Sequence, residues 1–91
     1  MTKTKKMIDE IIDGIIDWLI DINRELILAE NKEDYAECII LRDAIHNYIH
    51  TNAEILMMTK NIKEIYTVDD IITKLTIQSS YIYNQLKENQ P

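Results

Sequence analysis

The sequence predicts an all-α fold, a long antiparallel helical hairpin followed by a third helix, on three observations. Glycine and proline occur once each in 91 residues, and the proline is the last residue. A β-rich chain needs turn residues far more often, whereas long helices do not. Aliphatic side chains recur at three- and four-residue spacing, the pattern of a buried helical stripe. Acids recur between them with the same period, which gives each helix a wet face. Isoleucine is abundant, but periodicity outweighs its strand propensity.

The length fits one domain, residues 1–91. Hydrophobic residues make up 46% of the chain, enough for a core and too many for general disorder. A domain of this size buries only about 60–65% of its unfolded surface. Oligomerisation relieves that shortage, so a homo-oligomeric bundle is expected. Net charge is −6 with a pI near 4.7. Duplex nucleic acid is therefore a disfavoured partner, because its binders neutralise phosphates with positive charge. The single Cys38 excludes an intrachain disulfide and fits a reducing, cytoplasmic compartment. Acids interrupt the apolar run from Asp9 onward, which argues against a signal peptide and a membrane span.

The first helix is expected over residues 5–30. Residues 7–22 read MIDE, IIDG, IIDW, LIDI, a tetrad repeat. Each four-residue step advances about 40° beyond a full helical turn, so the apolar surface winds round the rod. A seam with coiled-coil spacing runs through Ile8, Ile12, Ile15, Leu19, Ile22, Leu26 and Ala29. Ile11, Ile16, Trp18, Ile20 and Ile27 lie outside it. That surface is wider than one helix can cover, which implies two neighbours, another subunit being a candidate source of one. Gly14 costs about 1 kcal/mol inside a helix relative to Ala, for which close approach of another helix and chance are equal explanations.

A break is expected at Glu30–Asn31–Lys32, with Asn31 as N-cap and Asp34 three residues on. The second helix would span 32–60, burying Cys38, Leu41, Ile45, Tyr48 or Ile49, Asn52 or Ala53, and Leu56. So short a connection makes the pair an antiparallel hairpin. Asn61 suits a C-cap, and 62–66 reads as a connector. Thr67 and Asp70 then form a capping box for a third helix over 67–89. Its seam is Val68, Ile72, Leu75, Ser79, Ile82 and Leu86, flanked by Ile71, Ile77, Tyr81 and Tyr83. Rods of about 40 Å are expected for the first two helices.

Residues 29–45 read AENKEDYAECIILRDAI. This segment resembles the UVR motif, the helical hairpin of UvrB and UvrC, found also in small phage and bacterial interaction proteins. Ala29, Glu33, Asp34, Tyr35, Leu41, Arg42, Asp43 and Ile45 match the motif's pattern. Ala36 stands where the motif has Glu, and Cys38 and Ile39 replace its pair of small residues. The resemblance implies a hairpin held by Tyr35, Leu41, Arg42, Asp43 and Ile45, and protein–protein contact. By the residues' own chemistry, Tyr35 would fold over the turn, and Leu41 and Ile45 would share the inner face. Arg42 would bind a carboxylate or free carbonyls near the turn.

Catalysis finds no support: no phosphate loop, no strained nucleophile turn and no base in register with a Ser or Cys. No cofactor or metal is expected. His46 and His50 stand at i, i+4, a spacing that can hold a transition metal, but most such pairs are surface histidines near acids. Asp9, Asp13, Asp17, Asp21 and Glu25 form an acidic ridge, chiefly a solvated face. The expected function is a non-enzymatic interaction module, an adaptor or inhibitor of the kind phages encode. Its partner-contacting residues are expected to be Asp13, Asp17, Trp18 and Asp21. The alternative is a helical oligomer that sequesters a small polar ligand, such as a nucleotide signal, at subunit interfaces. Ser79, Ser80, Tyr81, Tyr83, Asn84 and Gln85 are polar enough to line such a pocket.

Overall fold

The computed structural model describes the backbone of residues 2–58 and 66–89 and the side chains of residues 9–58 and 66–89. Three helices account for almost all of this: α1 (Thr2–Asn31), α2 (Tyr35–Met57) and α3 (Val68–Glu88). Trp18 and Glu30 of α1 meet Tyr48 and Arg42 of α2, so these helices run antiparallel. Asn23 and Glu30 of α1 meet Ser79 and Tyr83 of α3, so α3 runs parallel to α1. The bundle measures 46 × 24 × 15 Å, its long axis set by the 30-residue α1. No helix among the described residues is long and apolar enough to cross a membrane.

The broad apolar surface of α1 explains the arrangement. Its two flanks are covered by α2 and α3, so both neighbours come from the same chain. Ile11 and Leu28 of α1 remain exposed beside these two neighbours. The main core joins Ile15 and Leu19 of α1, Ile49, Ala53 and Leu56 of α2, and Ile71, Leu75 and Ile82 of α3. Trp18 and Tyr48 stack beside it with ring centroids 3.6 Å apart. Burial there pushes the Tyr48 phenol above its ordinary pKa. A second, smaller cluster of Leu26, Ala29, Cys38 and Leu41 closes the hairpin end. The seam on α3 is rotated slightly from expectation, with Ile71 buried and Ile72 half-buried.

The hairpin turn corrects the sequence reading. Asn31 is the last residue of α1, and the N-cap of α2 is Asp34. Glu33 N–H bonds to Glu30 O at 3.0 Å, and Asp34 N–H reaches Ala29 O at 3.0 Å. This nested pair is a Schellman motif with Lys32 as C-cap, and it requires a left-handed residue directly after that cap. Glu33 fills that position with φ of 59°, although it has a side chain. Asp34 then accepts a hydrogen bond from Glu37 N–H at 3.2 Å. The second helix therefore starts at Tyr35 rather than Lys32, and ends at Met57. The Asn61 cap lies outside the described residues.

At α3 the expected capping box is present. Thr67 Oγ1 accepts from Asp70 N–H at 3.1 Å, and Asp70 Oδ2 accepts from Thr67 N–H at 2.9 Å. The Thr67 backbone bond first, and its side-chain bond second, hold the Asp70 carboxyl below the ordinary carboxylate range. At Gly14 an added Cβ would meet nothing within 4 Å, so no close helix approach explains that glycine.

Four substitutions test these helix ends and the α1 interior. Gly14→Ala should stabilise the chain by about 1 kcal/mol, since a helix interior disfavours Gly by that much. Glu33→Gly should stabilise it by a similar amount, about 1 kcal/mol, by relieving a left-handed non-glycine residue. Both are read from urea denaturation, and a loss of stability in either would contradict the geometry. Thr67→Ala should cost about 1 kcal/mol. Because the folded Asp70 carboxyl titrates lower than in the unfolded chain, its contribution is present at neutral pH. It is lost as pH falls through that lowered value. Asp70→Asn should therefore weaken the acid dependence of unfolding.

Candidate functional site

The regular core stops near the hairpin end. Along α3 the inward positions run Ile71, Leu75, Ser79 and Ile82, so one small hydroxyl interrupts an aliphatic line. Opposite it on α1 sits Asn23, 2% exposed. Asn23 Nδ2 donates to Leu19 O at 2.8 Å and to Ser79 Oγ at 3.2 Å. A backbone carbonyl can only accept, so the Leu19 bond fixes which way the amide points. Both amide protons are committed, which leaves Oδ1 as an acceptor. Ser79 accepts from Asn23 and keeps its own proton to donate.

Beside this pair opens a shallow cleft of about 410 Å³ between all three helices. Leu26 lines it with Asn23 from α1, and Arg42 forms the α2 wall. Ser80, Tyr83 and Asn84 join Ser79 on the α3 wall.

At the rim, Glu30 ties the helices together. Its Oε1 accepts from the Tyr83 hydroxyl at 2.6 Å, and its Oε2 lies 3.5 Å from Arg42 Nη2. Lys87 Nζ donates to the Tyr83 oxygen at 3.1 Å. The Tyr83 hydroxyl thus passes polarisation from Lys87 to Glu30. That bond first, and the charges of Tyr83 and Glu30 after it, push the Lys87 ammonium above its ordinary pKa. One carboxylate on α1 is held by a guanidinium on α2 and a phenol on α3.

No family model, curated protein or solved structure matches this chain.

The residues singled out from the sequence fall into two groups. Arg42 does meet a carboxylate near the turn, Leu41 is buried, and Ile45 packs partly buried between the two core clusters. Asp43 is exposed. Tyr35 does not fold over the turn: it is 69% exposed. Ile39 also points outward, so Cys38 alone occupies the tight side of the hairpin. On α1, Asp13, Asp17 and Asp21 are exposed as the ridge requires, with an ion pair from Asp21 to Arg24 at 3.8 Å. Trp18 is half-buried against Tyr48 and stands apart from that ridge.

His46 and His50 pack ring to ring with centroids 4.2 Å apart, and no cluster of three metal-ligating side chains exists among the described residues. The polar residues Ser79, Ser80, Tyr83 and Asn84 of α3 line a recess within one chain. Tyr81 is exposed and outside it. Sequence reasoning missed Asn23 and Glu30. Asn23 carried a usable signal: it lies four residues after Leu19 and three before Leu26, on the face the seam defines.

Removing the Tyr83 hydroxyl should break the inter-helix tie through Glu30. Tyr83→Phe should lower stability by about 1.5 kcal/mol in urea denaturation, the lower end for a bond to a charged and partly wet group. An unchanged midpoint would mean that Glu30 is held by solvent instead.

Proposed function

We propose that this chain is a non-enzymatic interaction module, an adaptor or inhibitor that engages a partner protein through the outer face of the hairpin's second helix. The observation that carries this reading is the exposure of Tyr35, Ile39 and Ile40 at 69%, 59% and 60%. Tyr35 and Ile39 are four residues apart, as are Ala36 and Ile40, so the first turns of α2 present one continuous apolar surface. Leu28, at the end of α1, is also exposed at 55%. Grouped apolar exposure of this kind marks interaction sites. The resemblance of residues 29–45 to the UVR hairpin points the same way, because such hairpins bind proteins.

The acidic ridge takes a supporting role. Asp13, Asp17 and Asp21 would steer a partner with a basic surface during encounter, which raises the association rate more than the affinity. Trp18 would contribute little, since its ring face is occupied by Tyr48. Self-association could use the same outward residues of α2 or the exposed pair Ile77 and Tyr81 on α3. A buried thiol at Cys38 suits a reducing, cytoplasmic setting.

The test is affinity capture with the intact chain and with the double variant Ile39→Glu/Ile40→Glu. Both positions are exposed, so the variant should keep its melting temperature. It should lose the partner that the parent recovers. Reversing Asp13, Asp17 and Asp21 to Lys should slow association without abolishing the complex. Equal recovery by parent and double variant would refute the α2 surface. Sedimentation of the two proteins would separate a second copy of the chain from a foreign partner.

A further inference from the structure

A chain this short has few core layers to spare. At the level of Ser79 it nevertheless gives one up. Leu75 and Ile82 continue the aliphatic line on either side, and Asn23 stands opposite with 2% exposure. A buried amide is costly unless its hydrogen bonds are met. Here the amide donors are met within the chain, the Asn23 oxygen and the Ser79 proton are not used by those two bonds, and both residues line the cleft beside them. Replacing that layer with Leu or Ile would be the simpler way to a stable bundle. Departures from ordinary core packing are expected at functional or strained sites, and this one lies beside a cleft.

The cation on the wall specifies what the cleft takes. Arg42 is 60% exposed, and its nearest approach to Glu30 is 3.5 Å. That is well beyond the about 2.8 Å of a strong charge-assisted bond, so most of its donor fork remains unspent. The planar fork matches phosphate and carboxylate groups. Ser79, Ser80 and Asn84 supply hydroxyls and an amide for a hydroxylated body. A volume of about 410 Å³ is at the lower end for small-molecule sites. We infer that this intra-chain cleft binds a small hydroxyl-bearing oxyanion, with its phosphate or carboxylate on Arg42 and its hydroxyls on the Asn23–Ser79 pair. Glu30 is the internal competitor for Arg42, displaced when the ligand enters. The site is separate from the outer face of α2, so occupancy and protein docking are independently testable.

The experiment is a nuclear magnetic resonance titration of the full chain with ribose 5-phosphate and with ribonate, with inorganic phosphate as the control. Saturable shifts are expected at the backbone amides of Ser79, Ser80 and Asn84 and at the side-chain amide of Asn23. Whichever of the two sugars binds identifies a phosphate or a carboxylate head, and either should bind more tightly than inorganic phosphate. Arg42→Gln should weaken binding by about tenfold. Glu30→Gln keeps an acceptor for Tyr83 but frees Arg42, and should tighten binding by about threefold. Arg42 is exposed, so its loss leaves the fold intact, and the dispersion of the spectrum checks this directly. Absence of saturable shifts at the cleft up to about 10 mM of either sugar would overturn the inference. So would binding that survives Arg42→Gln, or affinity no better than that of inorganic phosphate.

Discussion

The girth of the apolar surface on α1 is the constraint from which the rest of the molecule follows. A two-helix hairpin would leave one edge of that surface facing water, and burying aliphatic area contributes about 25 cal/mol per Å². The tetrad repeat makes that surface wind, so its two edges need neighbours at different angles. The turn at Lys32–Asp34 supplies the first by folding α2 back at once. The second is α3, capped by Thr67, which returns parallel to α1 along the other edge. Once both are seated, Leu19 is fully enclosed and the hydrophobic core runs along most of the rod.

Two of the devices that fix this arrangement act against local preference. Glu33 adopts a left-handed conformation in the turn, where glycine is the ordinary choice. Asn23 places an amide among aliphatic neighbours. Each is compensated by hydrogen bonds: the nested carbonyl bonds of the helix end, and the contacts to Leu19 O and Ser79 Oγ. The buried pair also fixes register, because an amide that must meet one hydroxyl does not tolerate a one-turn slip of α3 along α1. Glu30 adds a second lock at the same end through Tyr83 and Arg42. The hairpin end is thus held by polar geometry in addition to the cluster of Leu26, Ala29, Cys38 and Leu41, and the rest of the bundle by packing.

The same end carries both surfaces with recognition potential. The first turns of α2 expose Tyr35, Ile39 and Ile40, and the cleft behind them is polar and walled by Arg42. Arg42 faces the cleft while Tyr35 and Ile39 face out, so the segment that resembles a UVR hairpin contributes to both. The departures from that motif matter here. Ala36 in place of Glu removes a charge from the outer face, and Ile39 in place of a small residue adds bulk there without disturbing the interior, since it is exposed.

Periodicity determined the helical class, the three elements and most of the core, because the spacing of aliphatic residues along one chain is itself a statement about which face is dry. The capping box at Thr67–Asp70 was equally legible, being a contact between residues three apart. The start of α2 was legible in principle at Asp34 and Glu37, but Asn31 offered a competing cap, and nothing local betrays a left-handed Glu33. What the tertiary structure alone decided are the relations between helices. The neighbour on α1's far edge is α3 of the same chain, and Ser79 lies opposite Asn23, 56 positions away. Glu30 gathers Arg42 and Tyr83 from two other helices. Such pairings depend on the rotation and offset of packed rods, and a linear pattern carries no information about either until the rods are brought together.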